Sequence, residues 1–347
     1  MKKKISIVGA TGYVGLELVR LLSAHPGVEF AHLCSQSYVG QDIADLYPSL
    51  KGTASHMLCG LDEDALAQDS DLIFTSLPHG ASDVVIPSLY DKGACVVDMS
   101  GDFRYDDVGV YERWYQTTHK RPDLLKKAVF GLPEIYREQV KAARLIGNPG
   151  CYTTCAILAA APLLRAGVAK AQGIVVDAKS GATGAGAKAT QNTHFCEVDE
   201  SMKAYGIATH RHTSEIEQEL TKAAGQEVVL SFTPHLLPIK RGILATLYMS
   251  LKPGCGAAQV AAAYAAAYAE EPFVTVLAAG ETPHIKHVVG SNRCMIGFVV
   301  DERVGRVVVV SVIDNLIKGA AGQAIQNMNL MLGFEETAGL PLAGMYL

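Results

Sequence analysis

The segment with the most chemical content is Asn148-Pro149-Gly150-Cys151-Tyr152-Thr153-Thr154. A strand-like run, Ala143–Ile146, stops at Gly147-Asn148-Pro149-Gly150, and a helix is expected from Cys151 to about Leu164. A thiol at a helix start sits among unpaired N–H groups at the positive end of the dipole, which favours its thiolate. Ligands bind α/β proteins at the carboxyl ends of the strands, so Cys151 is a candidate nucleophile there. The bland alternative is a small residue tolerated at a tight corner. Thr153 and Cys155 are expected to point away from the reacting group. A nucleophile needs a proton partner. Most of the eleven histidines are scattered. His210-Arg211-His212, however, precedes Ser214-Glu215-Ile216-Glu217, which has the form of a capping box. A helix is therefore expected just afterwards, with His210 and His212 on an extended approach, side by side on one face. Either imidazole suits general acid–base work near neutral pH; a polar cluster that merely caps the helix is the competing account.

Other residues have the chemistry to hold ligands. Gly9-Ala10-Thr11-Gly12-Tyr13-Val14-Gly15 lies between an apolar run, Lys4–Val8, and a helical pattern at Val14, Leu18, Leu21 and Leu22. Glycines there permit a tight turn and close approach to a pyrophosphate, and the helix start offers free N–H groups. Gly9, Thr11, Gly12, Tyr13, Val14 and Gly15 are thus candidate cofactor contacts, against the alternative of a plain strand-to-helix turn. The second strand ends in Cys34-Ser35-Gln36-Ser37. No carboxylate stands there to repel a 2′-phosphate, and Ser35, Gln36 and Ser37 offer hydrogen bonds, so NADP is favoured over NAD. Arg104, in Ser100-Gly101-Asp102-Phe103-Arg104, can grip phosphate or carboxylate through a planar fork; a salt bridge to Asp106 or Asp107 accounts for it equally well. Ser180-Gly181-Ala182-Thr183-Gly184-Ala185-Gly186 is a second glycine loop able to approach a ligand closely, or a simple connector. A nicotinamide site plus an activated cysteine defines a chemistry: addition of sulfur to an aldehyde or activated acyl group, with hydride exchange at the adduct. The acyl thioester then exchanges with phosphate or with water, and the arginine and histidines favour phosphate.

The elements that must position these groups fall into two textures. In the first half, short apolar runs at Lys4–Val8, Val28–Cys34, Asp71–Leu77, Gly93–Met99 and Ala143–Ile146 alternate with helical patterns, one of them Ala81–Tyr90. That alternation implies a parallel, doubly wound α/β sheet of the Rossmann type. In the second half, longer strands are expected at Ile174–Ala178, Glu227–Phe232, Ile243–Leu251, Ile296–Val300 and Arg306–Ile313, several joined by turns. With an Ala-rich helix at 257–269 and a final helix over 319–332, this reads as an α+β domain. The composition changes near residue 150.

The chain has 347 residues, enough for two domains, with 49% apolar and 19% charged residues. That excludes bulk disorder. The formal charge of −5 argues against a general nucleic-acid or anionic-membrane binder. Apolar runs such as 260–269 fall short of the ~18 residues that span a bilayer. Met1-Lys2-Lys3-Lys4 resembles a signal n-region, but the apolar run after it is too short, so a soluble cytosolic protein is expected. The eight cysteines form no disulfide framework and no Cys-x-x-Cys pair. Cys151 and Cys155 alone lack the partners of a metal site, and no metal is expected.

The chain resembles the N-acetyl-γ-glutamyl-phosphate reductase family in its longer form. The resemblance spans essentially the whole sequence. It is carried by the glycine turn 9–15, by Ser100–Arg104, by Gly147–Tyr152, by Thr209–Ile216 and by Pro234–Gly242. It implies a dinucleotide domain over 1–150 and a catalytic and dimerisation domain over 151–315, like that of glyceraldehyde-3-phosphate dehydrogenase. A C-terminal helix, 316–347, would return to the first domain near the nicotinamide. It further implies NADPH-dependent reduction of an acyl phosphate to the semialdehyde in arginine biosynthesis. Cys151 would be the nucleophile and His210 the acid–base. Arg104, His212, Glu215 and Asn148 would bind or orient the substrate, and Ser180, Gly181 and Asn315 would join the cofactor contacts. The small-molecule substrate would be handled by a homodimer or homotetramer. Three other readings stay open: aspartate-semialdehyde dehydrogenase, a reductase of the one-methylene-longer aminoadipyl substrate, and a non-catalytic NADP-binding sensor. One CH₂ is worth only about 1–3 kcal/mol of discrimination.

Overall fold

The computed structural model describes residues 1–346 and divides into two compact units. Unit 1 comprises Met1–Pro149 with Ala320–Leu340, and unit 2 comprises Gly150–Gly319 with the residues from Pro341 onward.

Unit 1 is built on seven strands: β1 (Lys3–Val8), β2 (Val28–Cys34), β3 (Leu58–Cys59), β4 (Leu72–Thr75), β5 (Val96–Asp98), β6 (Val129–Phe130) and β7 (Leu145–Gly147). They pair in the order β3-β2-β1-β4-β5-β7-β6, every pairing parallel. β4 is buried along its whole length, as are Ile5–Val8 of β1. Burial on both faces explains why these strands read as unbroken apolar runs rather than alternating ones. Of the two polar residues among them, Ser6 is satisfied by the Ser70 hydroxyl at 2.7 Å and by the His32 N–H, and Thr75 donates to Asp98. The chain order reverses between β1 and β4, so the carboxyl ends at Gly9 and Ser76 flank the switch point where such sheets bind ligands. Beyond the expected elements, the structure has helices at Val108–Tyr115 and Pro133–Ala142 and the two-residue strands β3 and β6.

The C-terminal helix differs from the span 316–347. A π turn, Ile317–Ala321, leads into an α-helix that stops at Leu332, capped by Gly333. Its buried amides, not its apolar face alone, fix it in unit 1. Asn327 Nδ2 donates to the Gly131 carbonyl at 2.9 Å and to Asn148 Oδ1 at 3.0 Å, and Asn329 Nδ2 donates to the carbonyls of Glu336 and Ala338.

Unit 2 carries β8 (Ile174–Gly181), β9 (Lys203–Ala204), β10 (Leu230–Leu237), β11 (Ile243–Ser250), β12 (Val274–Val276), β13 (Cys294–Asp301) and β14 (Arg306–Ile313). The mixed sheet runs β12-β13-β14-β11-β8-β10-β9. Val176, Ala178, Ala245, Leu247, Met249, Val307 and Val309 alternate along three of these strands and are fully buried. That period of two marks the face on which the helix Cys151–Arg165 lies. From Tyr152 to Leu164 this helix is buried all round. Pro162 lacks the N–H that would bond the Leu158 carbonyl; the Tyr268 hydroxyl donates to that carbonyl instead at 2.7 Å, and Tyr264 caps Ala159 at 2.6 Å.

Candidate functional site

In unit 1 the glycine turn follows β1 and opens the helix Tyr13–Leu22, with Gly12 at its N-cap. Gly9 has φ +89°, and a Cβ there or at Gly15 would overlap the carbonyl oxygens of Ser76 and Gly9 respectively. A Cβ on Gly12 would meet only the Gly9 carbonyl, at 3.6 Å, so the outer side of the turn is open to a ligand. The N–H groups of Gly9 and Ala10 are held by the Cys34 carbonyl, which ties the turn to the end of β2. There Ser35 is buried against Thr11, hydroxyl to hydroxyl at 3.0 Å, while Gln36, Ser37 and Tyr13 are exposed. These groups fit an anionic dinucleotide: free N–H groups at a helix start, a small-residue turn and a hydroxyl-rich strand end.

β5 ends at Asp98, whose carboxylate accepts from Thr75 and from the Ser100 hydroxyl and N–H. Burial, with the nearby Asp102 charge, pushes its pKa up to about 6. This buried lattice shapes the loop to Arg104, which is itself buried and donates Nη2 to the Met99 carbonyl at 2.9 Å. Asn148 is fully buried, with its amide engaged by Asn327 and by the Ala320 carbonyl. Its amide thus anchors the returning helix.

In unit 2 a cavity of about 490 Å³ is lined by Cys151, Tyr152, His210, His212, Ser180, Gly181 and Tyr205, with Thr190, Asn192 and Thr193 on the adjoining loop and Lys203 at the start of β9. Cys151 is the first residue of its helix and half-buried. The first α-type bond runs from Thr154 N–H to the Gly150 carbonyl, so the amides of Cys151, Tyr152 and Thr153 precede the helix's own acceptors. The Gly150 N–H is taken by Glu215 Oε1 at 2.8 Å. Glu215 is fully buried and through this bond holds the backbone ahead of the nucleophile. Thr153 and Cys155 are fully buried, the latter with its sulfur on Ser311.

The histidine segment departs from the extended approach. The helix starts at His212 itself, with Arg211 at the N-cap and the Ser214 hydroxyl donating to the Arg211 carbonyl. The two rings are nevertheless neighbours, with centroids 4.8 Å apart. His212 packs against Gly150, where a Cβ would overlap its Nε2. His210 is ringed by the edges of Tyr152, Tyr205 and Phe232. Burial, aided by the Arg211 charge, lowers its pKa to about 4, so the imidazole is neutral at pH 7. The His212 N–H donates to His210 Nδ1 at 3.2 Å, which leaves Nε2 to carry the ring proton. Asn315 is spent on the fold: it donates to Thr183 Oγ1 and accepts from the Gly242 N–H, clamping the Ser180 loop.

The first part of the chain, residues 4–143, matches the family described as semialdehyde dehydrogenase, NAD binding domain. Residues 151–315 match semialdehyde dehydrogenase, dimerisation domain. A protein of Symbiobacterium thermophilum named N-acetyl-gamma-glutamyl-phosphate reductase is 53% identical over 345 residues, covering 99% of each chain. One of the same name from Acetivibrio thermocellus is 50% identical over 343 residues, again covering 99% of each. The chain belongs to the N-acetyl-γ-glutamyl-phosphate reductase family. The reductase fold is shared with aspartate semialdehyde dehydrogenase II of Vibrio cholerae, at TM-score 0.73 and 18% identity over 96% of this chain and 99% of that one. The Candida albicans aspartate semialdehyde dehydrogenase solved with NADP gives 0.68 and 16% over similar spans.

Of the reductase residues expected from sequence, the unit 2 cavity gathers Cys151, His210, His212, Ser180 and Gly181. Sequence reasoning missed Tyr205, whose hydroxyl donates to that of Tyr152 at 3.2 Å, and the polar group Thr190, Asn192, Thr193 and Lys203. The only signal for the latter was a run of amides and hydroxyls without apolar period between two glycine turns.

Proposed function

We propose that this protein reduces N-acetyl-γ-glutamyl phosphate to N-acetylglutamate 5-semialdehyde and phosphate, with NADPH, in arginine biosynthesis. The observation that carries this reading is a cavity holding a helix-start cysteine beside two imidazoles, with no carboxylate among the described residues lining it. A free α-ammonium group would need an anionic partner there, so an N-acylated substrate suits the cavity better than aspartate semialdehyde. When bound along the glycine turn, Ser35, Gln36 and Ser37, the nicotinamide supplies hydride.

Cys151 Sγ, as thiolate, attacks the acyl carbon. The bond between the acyl carbon and the phosphate oxygen breaks, and phosphate leaves with the electron pair. Hydride supplied by the bound nicotinamide would leave the former thioester carbonyl oxygen as an oxyanion. That oxyanion is bonded by His210 Nε2–H and by N–H groups at the helix start. Collapse re-forms the carbonyl and expels Cys151 Sγ as thiolate. No proton has to pass through His210 in this sequence, so a neutral ring suffices; its role is donor rather than acid. His212 and Glu215 hold Gly150 and the helix start in register. The protein works as a homo-oligomer, dimer or tetramer.

The test is covalent. With acyl phosphate and no NADPH, wild-type protein should carry the acyl group on the peptide containing Cys151. Cys151→Ser should keep NADPH binding and lose at least about 10³-fold in turnover. Full retained turnover would remove Cys151 from the mechanism.

A further inference from the structure

We propose that Lys203, with Asn192 beside it, reads the carboxylate at the far end of the acyl chain. The site would thereby select acyl phosphates carrying a second negative charge there. This rests on the reductase reading.

Among the described residues lining the cavity, Lys203 alone carries a permanent charge. Its partner is a neutral amide: Nζ donates to Asn192 Oδ1 at 2.8 Å. Several other lysines are instead paired with carboxylates, as Lys3 is with Asp71, Lys92 with Asp64 and Lys222 with Glu219. At Lys203 two of the three ammonium donors remain for a ligand, and accepting through Oδ1 turns the Asn192 NH₂ group toward oxygen acceptors as well. Two adjacent donor groups, one charged, match a carboxylate or a carboxylate beside an amide oxygen.

Position decides which anion is read. β9 pairs antiparallel with β10, Lys203 opposite Leu236 and Ala204 opposite His235, and the pairing continues through Tyr205 N–H to the Pro234 carbonyl. In this extended stretch Lys203 and Tyr205 share a face, about 7 Å apart. Tyr205 is hydrogen-bonded to Tyr152, the neighbour of Cys151. The line from nucleophile to cation therefore passes Tyr152 and Tyr205 before it reaches Lys203. The phosphate leaves from the carbon that Cys151 attacks, at the near end. The carboxylate lies at the other end of the substrate, where Lys203 stands.

The experiment is reverse-direction kinetics with NADP, phosphate and N-acetylglutamate semialdehyde, alongside the α-methyl ester of the same aldehyde. In Lys203→Met the KM for the acid should rise about 10- to 100-fold, the usual loss for a charged hydrogen-bond partner, with kcat within about threefold. The kcat/KM preference for acid over ester should fall by the same factor, the KM for phosphate should hold, and Lys203→Arg should recover most of the preference. An unmoved KM for the acid, a rise in the KM for phosphate instead, or equal losses for acid and ester would overturn the assignment. Wild-type protein without phosphate-dependent turnover would strike the reductase reading itself, whereas active wild type beside an unshifted variant would strike Lys203 alone.

Discussion

His210 shows how far a side chain's surroundings govern its chemistry. The motif suggests an imidazole titrating near neutrality, but three aromatic edges and the Arg211 charge depress its pKa from 6.5 to about 4. Between those values the unfolded chain binds a proton that the folded chain does not. Stability is therefore full above about pH 6.5 and declines as pH falls toward 4, by about 3 kcal/mol from this residue. His210→Asn should remove that dependence, so its melting temperature should drop less than wild type's between pH 7 and pH 5; parallel curves would refute the shift. The same variant should cut kcat about 10²–10³-fold, as for loss of one oxyanion donor. Cys151 and His210 were legible because each sits in a local pattern of turn residues and helix start. Lys203 and Asn192, proposed above as a carboxylate contact, were not, because an ordinary lysine and an asparagine in a polar run are brought together only by the β9–β10 pairing at Lys203 and its hydrogen bond to Asn192.

At the scale of elements, the turn into the Cys151 helix is set by a close approach. Gly150 has no side chain because the His212 ring occupies that space, and its N–H is held by Glu215 from the same neighbouring helix. Gly150→Ala should displace His212, costing about 1–3 kcal/mol of stability and lowering kcat at least tenfold while NADP binding persists. Thermal melts, steady-state kinetics and cofactor titration on one preparation would separate these; unchanged kcat would show that His212 does not orient the site. This contact also explains the misplaced helix start. Ser214 and Glu217 have the spacing of a capping box, yet Glu215 is drawn to Gly150 and the helix begins earlier, at His212. Long strands were readable from their periods of burial. The two-residue strands β3, β6 and β9 carry no period at all and owe their pairing to neighbours.

At the scale of the whole molecule, each unit has its own sheet, and the boundary falls where the composition shifts, beside Cys151. Among the described residues no helix is long and apolar enough to cross a membrane. The dinucleotide contacts proposed here belong to unit 1 and the nucleophile to unit 2, so binding and chemistry should separate. NADP at about 100 times its Kd should stabilise wild type and Cys151→Ser alike, by about 2.7 kcal/mol; a variant that no longer responds would link the thiol to cofactor binding. The central claim is the reaction itself, and NADPH absorbance in the reverse direction tests it most directly. NADP would be supplied with N-acetylglutamate semialdehyde or aspartate semialdehyde, each with and without phosphate. Phosphate-dependent NADPH formation from the N-acetylated aldehyde alone is the predicted result. Turnover of the free amino aldehyde instead, or of neither, would contradict it.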